Sequence, residues 1–433
     1  MPKGKKKGKF EHRRTEQPYS SDEEDMTIDN CSTISGQSDV KSNEEAAENE
    51  VQEKLEEKIM DLVEGLSARS AAGRATALSS LRGALQRRYL ATLLANHSAT
   101  LADHVARTLR RGRDAERRAA AALAPLLALQ IGEEGTEQFV NEVRPALLAA
   151  VTDKAASLET RIDCCTSLSA LCYLLEEDLS QIVDVLRVLE SVFSGSYLKG
   201  DGRAKVSAEG SVHAAALDAW ALLLTLVPAA HARALLLDRA PSLAQLAELL
   251  HAAATEVRVA AGGALALCHE HTDENPDEWH EHWAAWGGWD EVLTTLDELA
   301  RDSHKYHAKR DRKLQRATFR DVLKYFEEGI VCETTVRVGG ERGGERVELH
   351  SWGARARYSA LASALGGGLH ALAPHSPPLR AALALPPPHA APLAPSQRPN
   401  KLQRHLQNNA ACKARTLARN KNRDKRTATV QAL

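Results

Sequence analysis

Aromatic side chains make up only 4% of this 433-residue chain, so no aromatic-rich centre can hold it together. Leu and Ala dominate the apolar 43%, and burial must come from many small helix-to-helix contacts, as in stacked helix pairs. Seven cysteines form no CxxC pair. Cys164, Cys165 and Cys172 share one amphipathic stretch, while Cys31, Cys268, Cys332 and Cys412 are scattered. That spacing excludes a disulfide framework and predicts inert thiols in a reducing compartment. The longest apolar run, AAALDAWALLLTLVPAAHARALLL, is broken by Asp218, Pro228 and His231 and is too short between breaks to cross a bilayer. The basic start MPKGKKKGKF has no apolar segment behind it, so no secretory signal is expected. A soluble protein of cytoplasm and nucleus, making no membrane contact, is the expectation.

Signatures of chemistry are also missing. GGERGG lacks the Lys-Ser/Thr of a phosphate-binding loop, and LGGGLHAL interrupts or ends a helix. There is no GxSxG elbow and no Cys/His pair whose spacing argues for activation. His269, His271, His280 and His282 crowd among acids. His269-Glu270-His271 nevertheless lacks the i, i+4 spacing that places two imidazoles on one helix face, and no cysteine pair lies near. Trp279, Trp283, Trp286 and Trp289, at three-to-four spacing, read as a helix packing face. The expectation is therefore no catalysis, no metal, no cofactor and no small-molecule substrate.

What is present is charge asymmetry. From Arg398 to Arg426 the cations are Arg398, Lys401, Arg404, Lys413, Arg415, Arg419, Lys421, Arg423, Lys425 and Arg426. Ten cations less the single acid Asp424 give +9, which leaves −11 on the rest of a chain whose total is −2. A basic arm on an acidic body points to nucleic-acid phosphates. As a helix from Asn400 to Arg426 the arm would span about 40 Å. It could equally fold back on the acidic body in cis.

Along the chain, residues 1–50 offer almost nothing apolar and are expected to be disordered. Ser20 and Ser21, directly before DEED, suit an acid-directed kinase or remain unmodified in a solvated acidic tail. From 51 to 300, about ten segments such as ETRIDCCTSLSALCYLLEE repeat apolar residues at three-and-four spacing; Ile162, Cys165, Leu168, Cys172 and Leu175 form one stripe. Short linkers, with one long loop at SGSYLKGDGRAK, predict an all-α armadillo- or HEAT-like solenoid; a compact bundle is the alternative, and no strict repeat motif is visible. Within 301–373, Lys305, Lys309, Arg312, Arg316 and Arg320 share a helix face, with Leu314, Val322 and Phe326 on the buried side. That face is a second basic surface or a solvated one with internal partners. TTVRV and RVELHSW alternate with period two and predict one β-hairpin capping the array, followed by a helix. Residues 374–399 are Pro-rich and read as a semi-extended linker before the basic segment 400–433.

DRKLQRATFRDVLKYFEEG, the hairpin ending in ELHSW, RYSALASALGGGLHAL and LRAALALPPP closely resemble the C-terminal conserved region of the interferon-related developmental regulator family. RIDCCTSLSALCYLL, SVHAAALDAWALLLTL and MPKGKKKG are similar to the same family. The resemblance implies an armadillo-like body without catalysis. It also implies two roles: association with non-translating ribosomes, the C-terminal helix entering the ribosomal RNA channel, and transcriptional co-regulation with histone deacetylase complexes. The long Ala/Pro-rich stretch and the His/Trp segment depart from the family pattern.

Overall fold

Small polar side chains start the helices by accepting from the first free N–H groups: Ser70 from Gly73, Ser157 from Thr160, Ser242 from Gln245, Ser351 from Ala354 and Ser376 from Leu379. The computed structural model describes residues 53–131, 133–200, 202–204, 208–239, 241–272, 287–301, 309–339 and 344–387. It divides into two compact units, Met1–Glu57 and Lys58–Leu433. Only residues 53–57 of the first are described, as helix, so the fold below is that of the second. Helix α1 (53–65) is followed by α2 (Ala71–Leu85), α3 (Ala91–Leu94), α4 (Ser98–Arg111), α5 (Asp114–Ala128), α6 (Glu133–Thr152), α7 (Leu158–Leu175), α8 (Leu179–Phe193), α9 (Gly210–Leu224), α10 (Ala229–Asp238), α11 (Leu243–Glu248) and α12 (Thr255–Thr272). Then come α13 (Trp289–Arg301), α14 (Lys309–Glu328), β1 (Thr334–Val338), β2 (Glu345–Leu349), α15 (Trp352–Leu365), α16 (Gly368–Leu372) and α17 (Pro377–Ala382).

The helices stack in two rows. α2, α5, α7, α9, α12 and α14 pack each on the next as an inner row, and α4, α6 and α8 form the outer one. Hairpins α4–α5, α6–α7, α8–α9, α11–α12 and α13–α14 join the rows. This is the solenoid, and the compact-bundle alternative falls because neighbours in space are neighbours in sequence. α9 is apolar around most of its circumference, with Val212, Ala216, Leu217, Trp220 and Leu223 all buried, because helices press on it from several sides.

A repeat motif does exist. Four residues after the caps of α2, α5, α7, α9 and α12 stands a polar side chain that bonds across the stack: Arg74, Arg117, Arg161, His213 and Arg258. Arg74 donates to the carbonyls of Ala68 and Arg69 and, at 2.7 Å, to Glu116 in the next inner helix. Arg117 bonds Asp153 at 2.9 Å. Arg161, 3% exposed, donates to the Val151 carbonyl and pairs with Glu209 at 2.9 Å. Arg258 holds the Ala252 and Ala253 carbonyls and donates to Gln315 at 2.9 Å. Arg74, Arg161 and Arg258 thus satisfy carbonyls left over at helix ends and loops, and all three tie one repeat to the next. The positions lie 43, 44, 52 and 45 residues apart, close to the period of roughly 40–47 residues of armadillo and HEAT repeats. The long step coincides with the insertion at 194–209. There His213 replaces the arginine and shares a 2.6 Å hydrogen bond with Ser196 of that loop. Burial alone would raise the carboxyls of Glu116 and Glu209. The Arg113 N–H and Arg74 beside the first, and Arg161 beside the second, outweigh it and hold both below the usual range.

The hairpin forms as expected, antiparallel with Val336 opposite Val347. Beyond it the chain turns back. α15 lies across α5, α7, α9 and α12 and so occupies the groove of the inner row. Gly366, at φ +54°, ends it, and the Leu365 carbonyl accepts from Gln86 at 3.1 Å, close to the start of the stack. Gly368 abuts Leu126 so closely that a Cβ would stand 2.3 Å from its side chain. The folded part also extends beyond 373, into the stretch expected to be a Pro-rich linker. α17 has proline in its first turn, where no N–H is needed, buries Leu379 and Arg380, and packs on α7. Arg380 is bidentate to Glu345 of β2 at 2.7 Å, which locks hairpin and helix together. The expected disorder of residues 1–50 and the basic segment lie outside the described residues.

Candidate nucleic-acid interface

α14 carries the mid-chain basic segment. Its buried side is Gln315, Phe319, Val322 and Phe326, whereas Leu314, expected there, is 58% exposed. Leu314 is displaced because Gln315 takes the inward position as acceptor for Arg258. Phe319 then drops against Gly262, where an added Cβ would meet its ring at 2.7 Å. Of the five cations expected on one face, Lys305 lies outside the described residues and the side chain of Lys309 likewise. Arg312 and Arg316 are half-buried, with Arg316 donating to the Arg312 carbonyl at 3.3 Å, and Arg320 is exposed. Lys313 and Lys324, which the spacing argument passed over, are exposed on the same helix. Their signal was available: they lie eleven residues apart, and with Arg320 between them they follow the helical period.

A second cationic concavity, of about 370 Å3, lies where the end of α4 meets the starts of α2 and α5. Arg74, His104, Arg107, Arg111 and Glu116 line it. Glu116 is committed to Arg74, and Arg107 to Asp103 at 3.1 Å. Burial, followed by the Arg107 guanidinium, holds His104 below its ordinary pKa, as a positive neighbourhood requires. Arg110, Arg111 and Arg113 beside it are exposed. The run RTLRRGRDAERR announced this in the sequence, but its cations divide between the seams and the surface, and spacing does not say which do what.

The His/Trp segment has a structural role where it is described. His269 is buried, shares a 3.1 Å hydrogen bond with Tyr325, and packs against Trp289 and Phe326 with ring centroids 6.0 and 5.4 Å away. His271 bonds the Val227 carbonyl at 2.8 Å. Glu270 accepts from the N–H groups of Trp352 and Gly353 at 2.8 and 2.6 Å, holding the start of α15. His280, His282, Trp279, Trp283 and Trp286 lie outside the described residues. Among the described residues no group of three or more His, Cys, Asp and Glu is placed to hold a metal, and no helix is long and apolar enough to cross a membrane. Burial pushes the thiols of Cys164, Cys165, Cys172 and Cys268 up to about 12, while Cys332 is exposed. Ser20, Ser21 and the ten cations from Arg398 to Arg426 are outside the described residues.

A family model described as Interferon-related developmental regulator matches residues 30–327, and one described as Interferon-related protein conserved region matches 378–427. Mouse Interferon-related developmental regulator 2 is 38% identical over 383 residues, covering 87% of this chain and 83% of its own. Mouse Interferon-related developmental regulator 1 is 34% identical over 428 residues, 95% of this chain and 91% of its own. The human regulator 1 is 33% identical over 425 residues, with the same coverage.

Proposed function

Because the chain belongs to the interferon-related developmental regulator family, we propose that it is a non-catalytic regulator that binds inactive ribosomes through ribosomal RNA and represses translation. One observation carries the reading. The conserved region 378–427 runs from α17, anchored on α7, straight into the segment of net charge +9. A cationic arm fixed at its root to a rigid body suits insertion between phosphate-lined walls, where side chains read backbone and shape, not bases. Within the body, Arg74, Arg117, Arg161, Arg258 and Arg380 are spent on its own seams. The α4–α5 concavity and the exposed Lys313, Arg320 and Lys324 would add weaker phosphate contacts.

The second reading, a transcriptional co-regulator gripping histone deacetylase complexes in its groove, gains less support because α15 already lies there. Sucrose-gradient sedimentation tests the choice. The full chain should travel with ribosomal particles at low salt, and a chain lacking residues 398–433 should stay at the top while remaining folded. Full-length protein that never enters the gradient, together with nuclease-resistant recovery of deacetylase subunits, would reverse the preference.

A further inference from the structure

α15 does not fill the groove it crosses. Between it and the inner row remains a cavity of about 550 Å3, open because both surfaces are built from small residues: Ala214, Ala215 and Gly263 below, Ala356, Ser359 and Ala360 above. Such a volume falls in the range of small-ligand sites. Asp218 lines it from the middle of α9, a helix otherwise given over to apolar burial. Its carboxyl is reached by solvent through the cavity and has no hydrogen-bond or ion-pair partner among the described residues. The one cation of the lining, Arg355, stacks its guanidinium 4.7 Å over the Trp352 ring and bonds Asp321 at 3.3 Å through Nη2, while its buried Nη1 makes no hydrogen bond; no ion pair joins it to Asp218. Glu256, in the first turn of α12, adds a second, exposed carboxylate to the lining. The hydroxyls of Thr166, Ser169, Ser359 and Ser363 around it are neutral, so the charge of the cavity on this side is that of Asp218.

We propose that this cavity binds a compact organic cation, an ammonium or guanidinium head group, with Asp218 as its counter-ion. An inorganic ion fits poorly, since one carboxylate and scattered hydroxyls give no close coordination shell in so large a space. Surrounding protein pushes the Asp218 carboxyl up to about 7 by desolvation. A cation that selects the ionised form should therefore bind more tightly as pH rises through neutrality. The charged groups facing the cavity are Asp218, Glu256 and Arg355.

Isothermal titration of the full chain with butylguanidinium, butylamine and the neutral n-butanol tests this. At least one of the two cations should bind with Kd at or below about 1 mM. Its affinity should rise roughly tenfold from pH 6 to pH 8, and n-butanol should give no heat. Asp218→Asn should weaken the cation at least ~10-fold; the variant keeps the side-chain shape, breaks no hydrogen bond or ion pair among the described residues, and so keeps its fold. Ala360→Leu, which fills the space and leaves the charge, should also abolish binding. An arginine-containing tetrapeptide with blocked ends distinguishes the sources: tighter binding than butylguanidinium assigns the cation to a partner chain, weaker binding to a free amine. No binding by either cation, equal binding by n-butanol, or unchanged affinity in Asp218→Asn overturns the proposal.

Discussion

Arg161 shows how much one side chain can carry. It is almost wholly buried, bridges the end of α6 to the cap of α9, and when removed takes a donor from the Val151 carbonyl and the 2.9 Å arginine partner from Glu209. Arg161→Met should cost about 3 kcal/mol, the low end for breaking a buried charged pair, read as a lower urea midpoint. Asp218 works in the opposite sense. Its carboxyl is raised in the folded chain to about 7, so the native state holds a proton that the unfolded state has released from about pH 4 upward. Stability is therefore lost as pH rises from about 4 to about 7 and is level beyond. Asp218→Asn, indifferent to pH, should melt like the parent near pH 4 and roughly 2 °C higher above pH 7, a difference that thermal melts at several pH values would resolve. Neither role was legible in the sequence. Asp218 stood out as a break in an apolar run, but its lack of a partner depends on side chains more than a hundred residues away.

Helices were the most legible level, because Ser and Asp caps and three-and-four spacing are local. The repeat was hidden. His213 stands where its counterparts are arginine, and the insertion at 194–209 stretches one step to 52 residues, so no fixed-period comparison aligns the seams. α15 was legible as a helix but not as an occupant of the groove. Its buried residues are Trp352, Leu361, Ala364 and Leu365, and the Ala and Ser between them carry no directional signal. Leu314 misled for a related reason: hydrophobicity placed it inward, whereas a buried hydrogen bond placed Gln315 there. With so little apolar surface, α15 depends on its ends. Glu270→Ala would strip the acceptor from the Trp352 and Gly353 N–H groups, at about 2 kcal/mol for charge-assisted bonds. Hydrogen exchange across 352–365 should quicken about 30-fold with little change in α5 or α7. Uniform acceleration through the whole stack would mean instead that α15 is needed to hold the repeats together.

For the whole molecule, charge is segregated: −11 outside the arm and +9 within it. Binding to RNA through the arm should be steeply salt-dependent, and six phosphate contacts would give a slope of log K against log salt of roughly −4. A slope near zero would remove phosphate contact as the source of affinity. Changing Arg415, Arg419 and Arg423 to Lys keeps the charge and should still weaken binding, because only Arg bridges phosphate oxygens in pairs. The proposed nucleic-acid segment was therefore legible as charge, while the packing of α17 on α7 ahead of it was not, since proline concealed a helix. The bond between Gln86 and Leu365 joins positions 279 residues apart, and it sets an order in time. Each helical hairpin can form from neighbouring residues as synthesis proceeds, but α15 has no groove to enter until α5, α7, α9 and α12 are all in place. Contacts of such separation close late. Refolding should accordingly show a fast gain of helix and a slower phase reported by Trp352 fluorescence, and until that phase ends every newly made chain presents an open groove.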